Sequence, residues 1–186
     1  ALRRWWQPGA ARLLLAAASM GAGSAAVWIF ARDLVESTGG VSAFASTMMW
    51  IILGAAGIAG AFTGDLVART GLGRAWVAAM PLLAAATAAM ALAPGSLPAI
   101  FSSAALFGAV YIALTGILLV WGTRIFPEAP AFGVGAAFLL IALGQAFAAP
   151  VIGLISDRGT APMAFYAATL ITLLGTLLRP RAHLNA

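Results

Sequence analysis

The sequence predicts an all-α polytopic membrane protein with six transmembrane helices, and its composition and charge pattern support this fold class. The chain has 186 residues, of which 63% are hydrophobic and 8% are charged. A soluble domain carries about 25% charged residues, so this chain has too few to cover a water-facing surface. The charges lie at the ends of long apolar runs, and nothing in those runs alternates as a barrel strand would. Each run is therefore predicted to cross as a helix, because lipid offers no partners to free backbone groups.

The charged residues divide the chain into runs that match a bilayer crossing, which needs ~20 apolar residues. The uncharged run between Arg74 and Arg124 is too long for one crossing. The turn sequence Pro-Gly-Ser-Leu-Pro at 94–98 divides that run into two spans. The predicted spans, in a single bundle over residues 1–186, are 13–31, 42–64, 75–93, 99–122, 130–155 and 161–178.

The arginines indicate which side of the membrane each loop occupies. Six crossings place both termini on one side, and with that side in the cytoplasm the arginines divide eight inside to two outside. This excess is the positive-inside pattern, so we predict cytoplasmic termini and a location in the inner (cytoplasmic) membrane. The inside set is Arg3, Arg4, Arg12, Arg69, Arg74, Arg124, Arg179 and Arg181, and the outside set is Arg32 and Arg158.

The tryptophans lie at two predicted depths. Four of them adjoin cytoplasmic span ends, where indole rings anchor at the headgroup level. These four are Trp5, Trp6, Trp76 and Trp121. Trp28 and Trp50 lie inside spans, where a ring serves either in packing and lipid contact or as a cavity wall.

Composition also argues against several function classes. The arginines never cluster on one polar face, so no nucleic-acid partner is expected. Cysteine is absent, and we expect no metal site and no cofactor. An intramembrane serine protease needs a histidine base and an aquaporin-like channel needs paired Asn-Pro-Ala segments, but His183 and Asn185 are the only residues of their types. With no P-loop sequence either, we predict that the chain is not an enzyme.

The segment 64–74, GDLVARTGLGR, concentrates charge in the predicted connection between spans two and three. A short turn needs residues that tolerate positive φ, and Gly71 and Gly73 are expected to supply them. Asp65 near the C-terminal end of a helix is unfavourable unless it is paired. Its expected partner is Arg69, one turn on, or the N-terminus of another helix.

This segment resembles the loop motif of the major facilitator superfamily, which reads roughly Gly-x-Leu-x-Asp-Arg-x-Gly-Arg-Arg. The acid of that motif falls on Ala68 here, and Asp65 lies nearly one helical turn earlier. Span five, with GQAFAAPVIGLISDRG, is similar to the eleventh helix of many facilitators. The matching positions are Gly64, Leu66, Arg69, Gly71 and Arg74 in the first motif, and Gly144, Gln145, Pro150, Gly153, Asp157, Arg158 and Gly159 in the second.

The resemblance covers essentially the whole chain as helices seven to twelve and is nearest to the YbfB/YjiJ-like branch. It implies two inverted three-helix repeats that rock against an N-terminal six-helix half and move a small solute by alternating access. On this hypothesis the chain is a fragment or a processed piece. The resemblance also implies that pairing around Asp65 closes the cytoplasmic face; alternatively, these charges only anchor topology. The alternative function is a non-transporting, receptor-like or scaffold module that dimerises.

Polar groups inside spans are the candidates for a substrate cavity, with membrane lipid around the bundle. Gln145 either bonds a neighbouring helix or faces a wet cavity, because an unpaired amide in hydrocarbon is costly. Tyr111 and Thr115 share one face of span four, where they serve either the cavity or interhelical hydrogen bonds. The further candidates are Trp28 for the cavity and Gly144, Pro150 and Gly153 as a hinge or packing site. No span carries an ionisable residue at its centre, so a proton-coupling group is expected in the other half.

Overall fold

The computed structural model describes residues 7–180, which form six long apolar helices and no strand. This confirms the predicted all-α, six-span fold class. The spans run over Ala10–Thr38, Ala43–Thr70, Leu72–Leu92, Leu97–Ile125, Pro130–Arg158 and Ala161–Leu178. Predictions made for Arg3, Arg4, Trp5, Trp6, Arg181, His183 and Asn185 lie outside the described residues.

Local sequence explains where several spans begin. Pro98, Pro130 and Pro162 lie in the first turns of spans four, five and six, where a missing N–H is tolerated and the fixed φ suits a helix. The hydroxyl oxygens of Ser42 and Thr160 accept hydrogen bonds from backbone N–H groups in the first turns of spans two and six. Such caps satisfy donors that the helix itself leaves free.

Three spans include segments that are not α-helical. Span one continues from its α-helix as a π-helix, and spans two and six contain 3₁₀ segments. The bounds are Ala10–Asp33 (α) and Leu34–Thr38 (π) in span one; Ala43–Ala56 (α), Gly57–Phe62 (3₁₀) and Thr63–Thr70 (α) in span two; and Ala161–Gly175 (α) and Thr176–Leu178 (3₁₀) in span six.

The charged segment between spans two and three is mostly helical rather than a loop. Span two extends to Thr70, and span three begins at Leu72. Gly71 alone makes the connection, with φ +80° as expected for a glycine turn. The positive φ expected at Gly73 is wrong, because this residue lies inside the helix of span three.

Helix pairing follows the pattern of two inverted three-helix repeats. Span one packs most extensively against span five, and span two packs against span four; span three contacts spans four and six, and span one also contacts span six. Exchanging span one with span four, span two with span five and span three with span six leaves this set of pairings unchanged. Because spans one and four run in opposite directions, the two repeats are inverted.

Glycines allow the closest of these crossings. A Cβ on Gly21 would overlap the carbonyl of Ile141, and a Cβ on Gly144 would overlap the carbonyl of Ala18, where spans one and five cross. In the matching pair, a Cβ on Gly108 of span four would overlap a carbonyl of span two. Small residues permit this backbone contact between helices in lipid, where dispersion rather than the hydrophobic effect drives association.

The prediction that Trp76 and Trp121 anchor at the headgroups is wrong. Their exposed fractions are 0% and 1%, and their rings pack edge to face with centroids 6.0 Å apart. The Trp76 indole N–H donates to the carbonyl of Gly175 at 3.2 Å. The two rings therefore join spans three, four and six inside the bundle instead of lying in the interface.

Burial is uneven among the spans. In the most apolar stretch of spans one and three, 56% of the residues are buried, against 22% in spans two and five. Spans two and five therefore each leave a broad apolar face uncovered by the described bundle.

Candidate functional site

A small polar cluster lies at the centre of the bundle and joins three spans. The Gln145 amide nitrogen donates to the hydroxyl of Ser24 at 3.2 Å and is 3.4 Å from the hydroxyl of Tyr111, to which it also donates. The Ser24 hydroxyl donates in turn to the carbonyl of Gly21 at 2.8 Å. We call Ser24, Tyr111 and Gln145 the polar cluster.

The polar cluster lies at mid-span in all three helices. Ser24 is the fifteenth residue of its 29-residue span, Tyr111 the fifteenth of its span of 29, and Gln145 the sixteenth of its span of 29. A helix of this length rises through the whole ~30 Å hydrocarbon core, so its middle lies near the bilayer midplane. The midplane is where secondary transporters place their substrate sites.

An aromatic layer lies directly beside the polar cluster. The Trp28 ring packs against Trp50 at 5.8 Å, Phe107 at 6.0 Å and Tyr111 at 5.1 Å between centroids, and Phe107 stacks on Tyr111 at 5.8 Å. We call Trp28, Trp50 and Phe107 the aromatic layer. Along their spans, all three lie closer than the polar cluster to the membrane side opposite the chain termini. The layer therefore covers the polar cluster from the side of the membrane opposite the termini.

Hydrogen-bonding capacity remains free at this site. Nothing among the described residues donates to the Gln145 side-chain oxygen. The Trp28 indole nitrogen is buried near the Tyr111 hydroxyl and forms no hydrogen bond of good geometry in the described part of the chain. Buried polar groups without partners are uncommon in native structures. One acceptor and one donor are therefore available to a molecule that enters between the spans.

The structure brings three of the four predicted cavity residues together and leaves one aside. Gln145, Tyr111 and Trp28 meet, whereas the Thr115 hydroxyl donates to the backbone carbonyl of Tyr111 at 2.9 Å, on its own helix. Gln145 and Tyr111 form the expected hydrogen bond between helices, and their place in the wall of a cavity stays a prediction.

Sequence reasoning missed two members of this site, Ser24 and Phe107, and named Trp50 only with Trp28 as a residue for packing, lipid contact or a cavity wall. Ser24 does back-bond to its own helix as serines in spans commonly do, but it also accepts from Gln145. Its position four residues before Trp28, on the same face of span one, was the available signal. Phe107 carries no such signal, since its contacts depend on how span four is rotated.

The predicted hinge residues of span five lie on one continuous helix. Pro150 lies inside the helix of Pro130–Arg158, and the helix passes through it. Gly144 packs against the backbone of span one, and a Cβ on Gly153 would touch the Phe30 ring at 3.5 Å. The close packing of span five against span one therefore requires Gly144, whereas a Cβ at position 153 would make only an ordinary contact.

The charged motif at the end of span two is exposed and unpaired. Asp65 and Arg69 lie in the last two turns of the helix, and neither forms an ion pair with a described residue. The expected pairing of Asp65 with Arg69 or another helix N-terminus is therefore not formed. Because the helix continues to Thr70, Asp65 is not at its end, and Arg69 in the last turn suits the partly negative C-terminus.

The remaining motif residues are exposed as well. Gly64 has open space around its Cα, and Arg74 projects from the first turn of span three. Asp157 and Arg158 lie exposed at the opposite end of the bundle, where span five stops at Gly159.

Comparison with known proteins gives one result that bears on identity. A family model described as "Uncharacterised MFS-type transporter YbfB" matches residues 3–179. No curated protein matches the chain. The match extends over nearly the whole chain, and six apolar helices in inverted repeats fit half of a facilitator fold. The chain therefore belongs to the YbfB-like family of major facilitator superfamily transporters.

Proposed function

We propose that the chain is the C-terminal six-helix half of a secondary active transporter, and that its polar cluster lines the route of a small solute. The observation that carries this proposal is the free hydrogen-bonding capacity at mid-span, between spans one, four and five. Amide, hydroxyl and indole groups at this depth are costly to keep unless they meet a partner or a wet cavity.

The uncovered faces of spans two and five support a second bundle as the partner. Span five carries Gln145 and packs on span one, and span two packs on span four, so the two spans flank spans one and four, which hold Ser24 and Tyr111. A partner covering both faces encloses the polar cluster. Rocking of the two bundles then exposes the cluster to one side of the membrane at a time.

The groups that the described half offers to a solute at mid-span are uncharged. Every Asp, Glu and Arg among the described residues lies near a span end or in a connection. Recognition by this half therefore rests on hydrogen bonds and aromatic faces. A coupling proton, if one is used, requires a titrating group on the partner half.

Solute counterflow tests the proposal. The full-length protein is reconstituted in vesicles with a panel of labelled small solutes, next to a Gln145→Leu variant. Gln145→Leu keeps the side-chain volume but removes the amide, so we expect exchange of any accepted solute to fall at least about tenfold, as for a lost hydrogen bond that a substrate needs.

Thr169→Val is the matched control, because Thr169 bonds only its own helix through the carbonyl of Phe165. It should leave exchange unchanged. Equal exchange by the Gln145→Leu variant would remove the polar cluster from the route. If no solute in the panel exchanges although the protein is folded and dimeric, the scaffold alternative is favoured.

A further inference from the structure

A groove of about 670 Å³ runs between spans one, five and six, away from the polar cluster. Leu15, Ala18 and Ala22 line it from span one, and Leu143 and Phe147 from span five. The polar side chain in its wall, Ser19, donates its hydroxyl proton to the carbonyl of Ala16, so the wall offers almost purely apolar contacts. The volume suits a flexible hydrocarbon ligand, within the range of about 300–1,000 Å³ that binding sites occupy.

The groove and Gln145 lie on different sides of span five. Leu143 and Phe147 are each two residues from Gln145, which places them about 160° from it around the helix. Gln145 points towards Ser24 and Tyr111, whereas Leu143 and Phe147 line the groove between spans one and five, beside the end of span six. A molecule in this groove therefore enters from the membrane.

Two arginines follow the groove at its end nearest the chain termini. Arg12 is three residues before Leu15 on the same face of span one, and Arg179 follows Leu178, which also lines the groove. The Arg12 guanidinium donates to the backbone carbonyl of Arg179 at 3.2 Å, which holds the two residues together. Neither arginine forms an ion pair with an acid in the described part of the chain.

The groove has the depth of one leaflet. From Arg12 to Ala22 span one rises about 15 Å, half of the ~30 Å hydrocarbon core. The arginines are then at the headgroup level, and the apolar wall ends near the midplane.

We propose that this groove binds an anionic phospholipid, with one acyl chain along the apolar wall and the phosphate held by Arg12 and Arg179. Two arginines that a hydrogen bond joins and that form no ion pair within residues 7–180 match an anionic headgroup, and guanidinium groups bind phosphate oxygens in fixed geometry. By the positive-inside distribution, this end lies in the cytoplasmic leaflet, where anionic lipids attract basic residues. The inference is independent of transport.

Lipid binding by the full-length protein tests the proposal. Binding of phosphatidylglycerol and of phosphatidylcholine with identical acyl chains is measured by native mass spectrometry. We expect the wild-type protein to bind phosphatidylglycerol about tenfold more tightly. The Arg12→Gln/Arg179→Gln double variant should abolish that preference, while its glutamine amide can still donate to the carbonyl of residue 179.

Two single variants complete the experiment. Ala18→Leu fills the groove and should weaken binding of both lipids, whereas Arg158→Gln, an exposed arginine at the opposite end of the bundle, should change neither. Equal binding of the two lipids by the wild-type protein overturns the proposal without reference to any variant. A preference that survives loss of both arginines, or lipid binding that Ala18→Leu leaves intact, also overturns it.

Discussion

At the residue scale, the central feature is an amide that connects three helices. Gln145 donates to Ser24 and Tyr111, yet its oxygen has no donor among the described residues. The two hydrogen bonds fix the orientation of the amide and direct the oxygen away from both partners. If a solute binds here as proposed, the polar cluster is preorganised to donate no further bond from the amide nitrogen and to accept one at the amide oxygen, which lowers the ordering cost of binding.

The hydrogen bond between Gln145 and Tyr111 should have a small but measurable energy. In a double-mutant cycle with Gln145→Leu and Tyr111→Phe, we expect a coupling free energy of about 0.6 kcal/mol, the average for hydrogen bonds between transmembrane helices. Free energies of unfolding in detergent micelles provide the measurement. Additive single effects would show that the 3.4 Å contact does not bind the helices together.

The same residues show what sequence can predict at this scale. Gln145, Tyr111 and Trp28 were identifiable because polar and amphipathic groups are rare in the spans. Ser24 was not, because serine hydroxyls in membrane helices usually bond their own backbone, and only the crossing of spans one and five brings it to Gln145. Trp76 and Trp121 were misjudged because closeness to a span end does not determine which way a ring points.

At the element scale, glycine contacts set how closely span one packs against span five and span two against span four. Spans one and five cross at Gly21 and Gly144, where backbone meets backbone. This crossing also carries the hydrogen bond between Ser24 and Gln145. The position of the polar cluster therefore depends on a contact that only glycine permits.

Gly144→Ala should destabilise the bundle. The added Cβ overlaps the Ala18 carbonyl, and relief requires the helices to separate, so we expect a loss of about 1–3 kcal/mol in the free energy of unfolding. Gly54→Ala is the matched control, because nothing lies within 4 Å of its Cβ, and it should be neutral or stabilising by up to about 1 kcal/mol through helix propensity. Equal melting temperatures for the two variants would contradict the close crossing.

The end of span two gives a second prediction at this scale. Asp65 and Arg69 are exposed and unpaired within the described residues, so their partners, if they form a gate, lie on the second bundle. Asp65→Asn and Arg69→Gln should each lower the rate of solute exchange more than the amount of protein in the membrane. If abundance and rate fall together, the charges only anchor topology.

At the scale of the whole molecule, the six spans were predictable from the sequence, but the uneven burial of these spans was not. Charges confined to span ends, with Pro94 and Gly95 in the one long run, were enough to predict six crossings. The uneven burial of the spans could not be read from hydropathy, because spans packed on protein and spans facing lipid are equally apolar. Our proposal of a partner half along spans two and five uses that unevenness, since these two spans are the least buried of the six.

Thiol labelling tests most directly whether the polar cluster lines a route that is open to water. The chain contains no cysteine, so Gln145→Cys provides a single thiol within it, and Leu143→Cys provides a control on the lipid side of span five. In the full-length protein, with any other cysteine removed, we expect a membrane-impermeant thiol reagent to modify residue 145 and not residue 143, and an accepted solute to slow the reaction. Equal labelling of the two positions, or no labelling of residue 145 from either side of the membrane, would contradict this expectation.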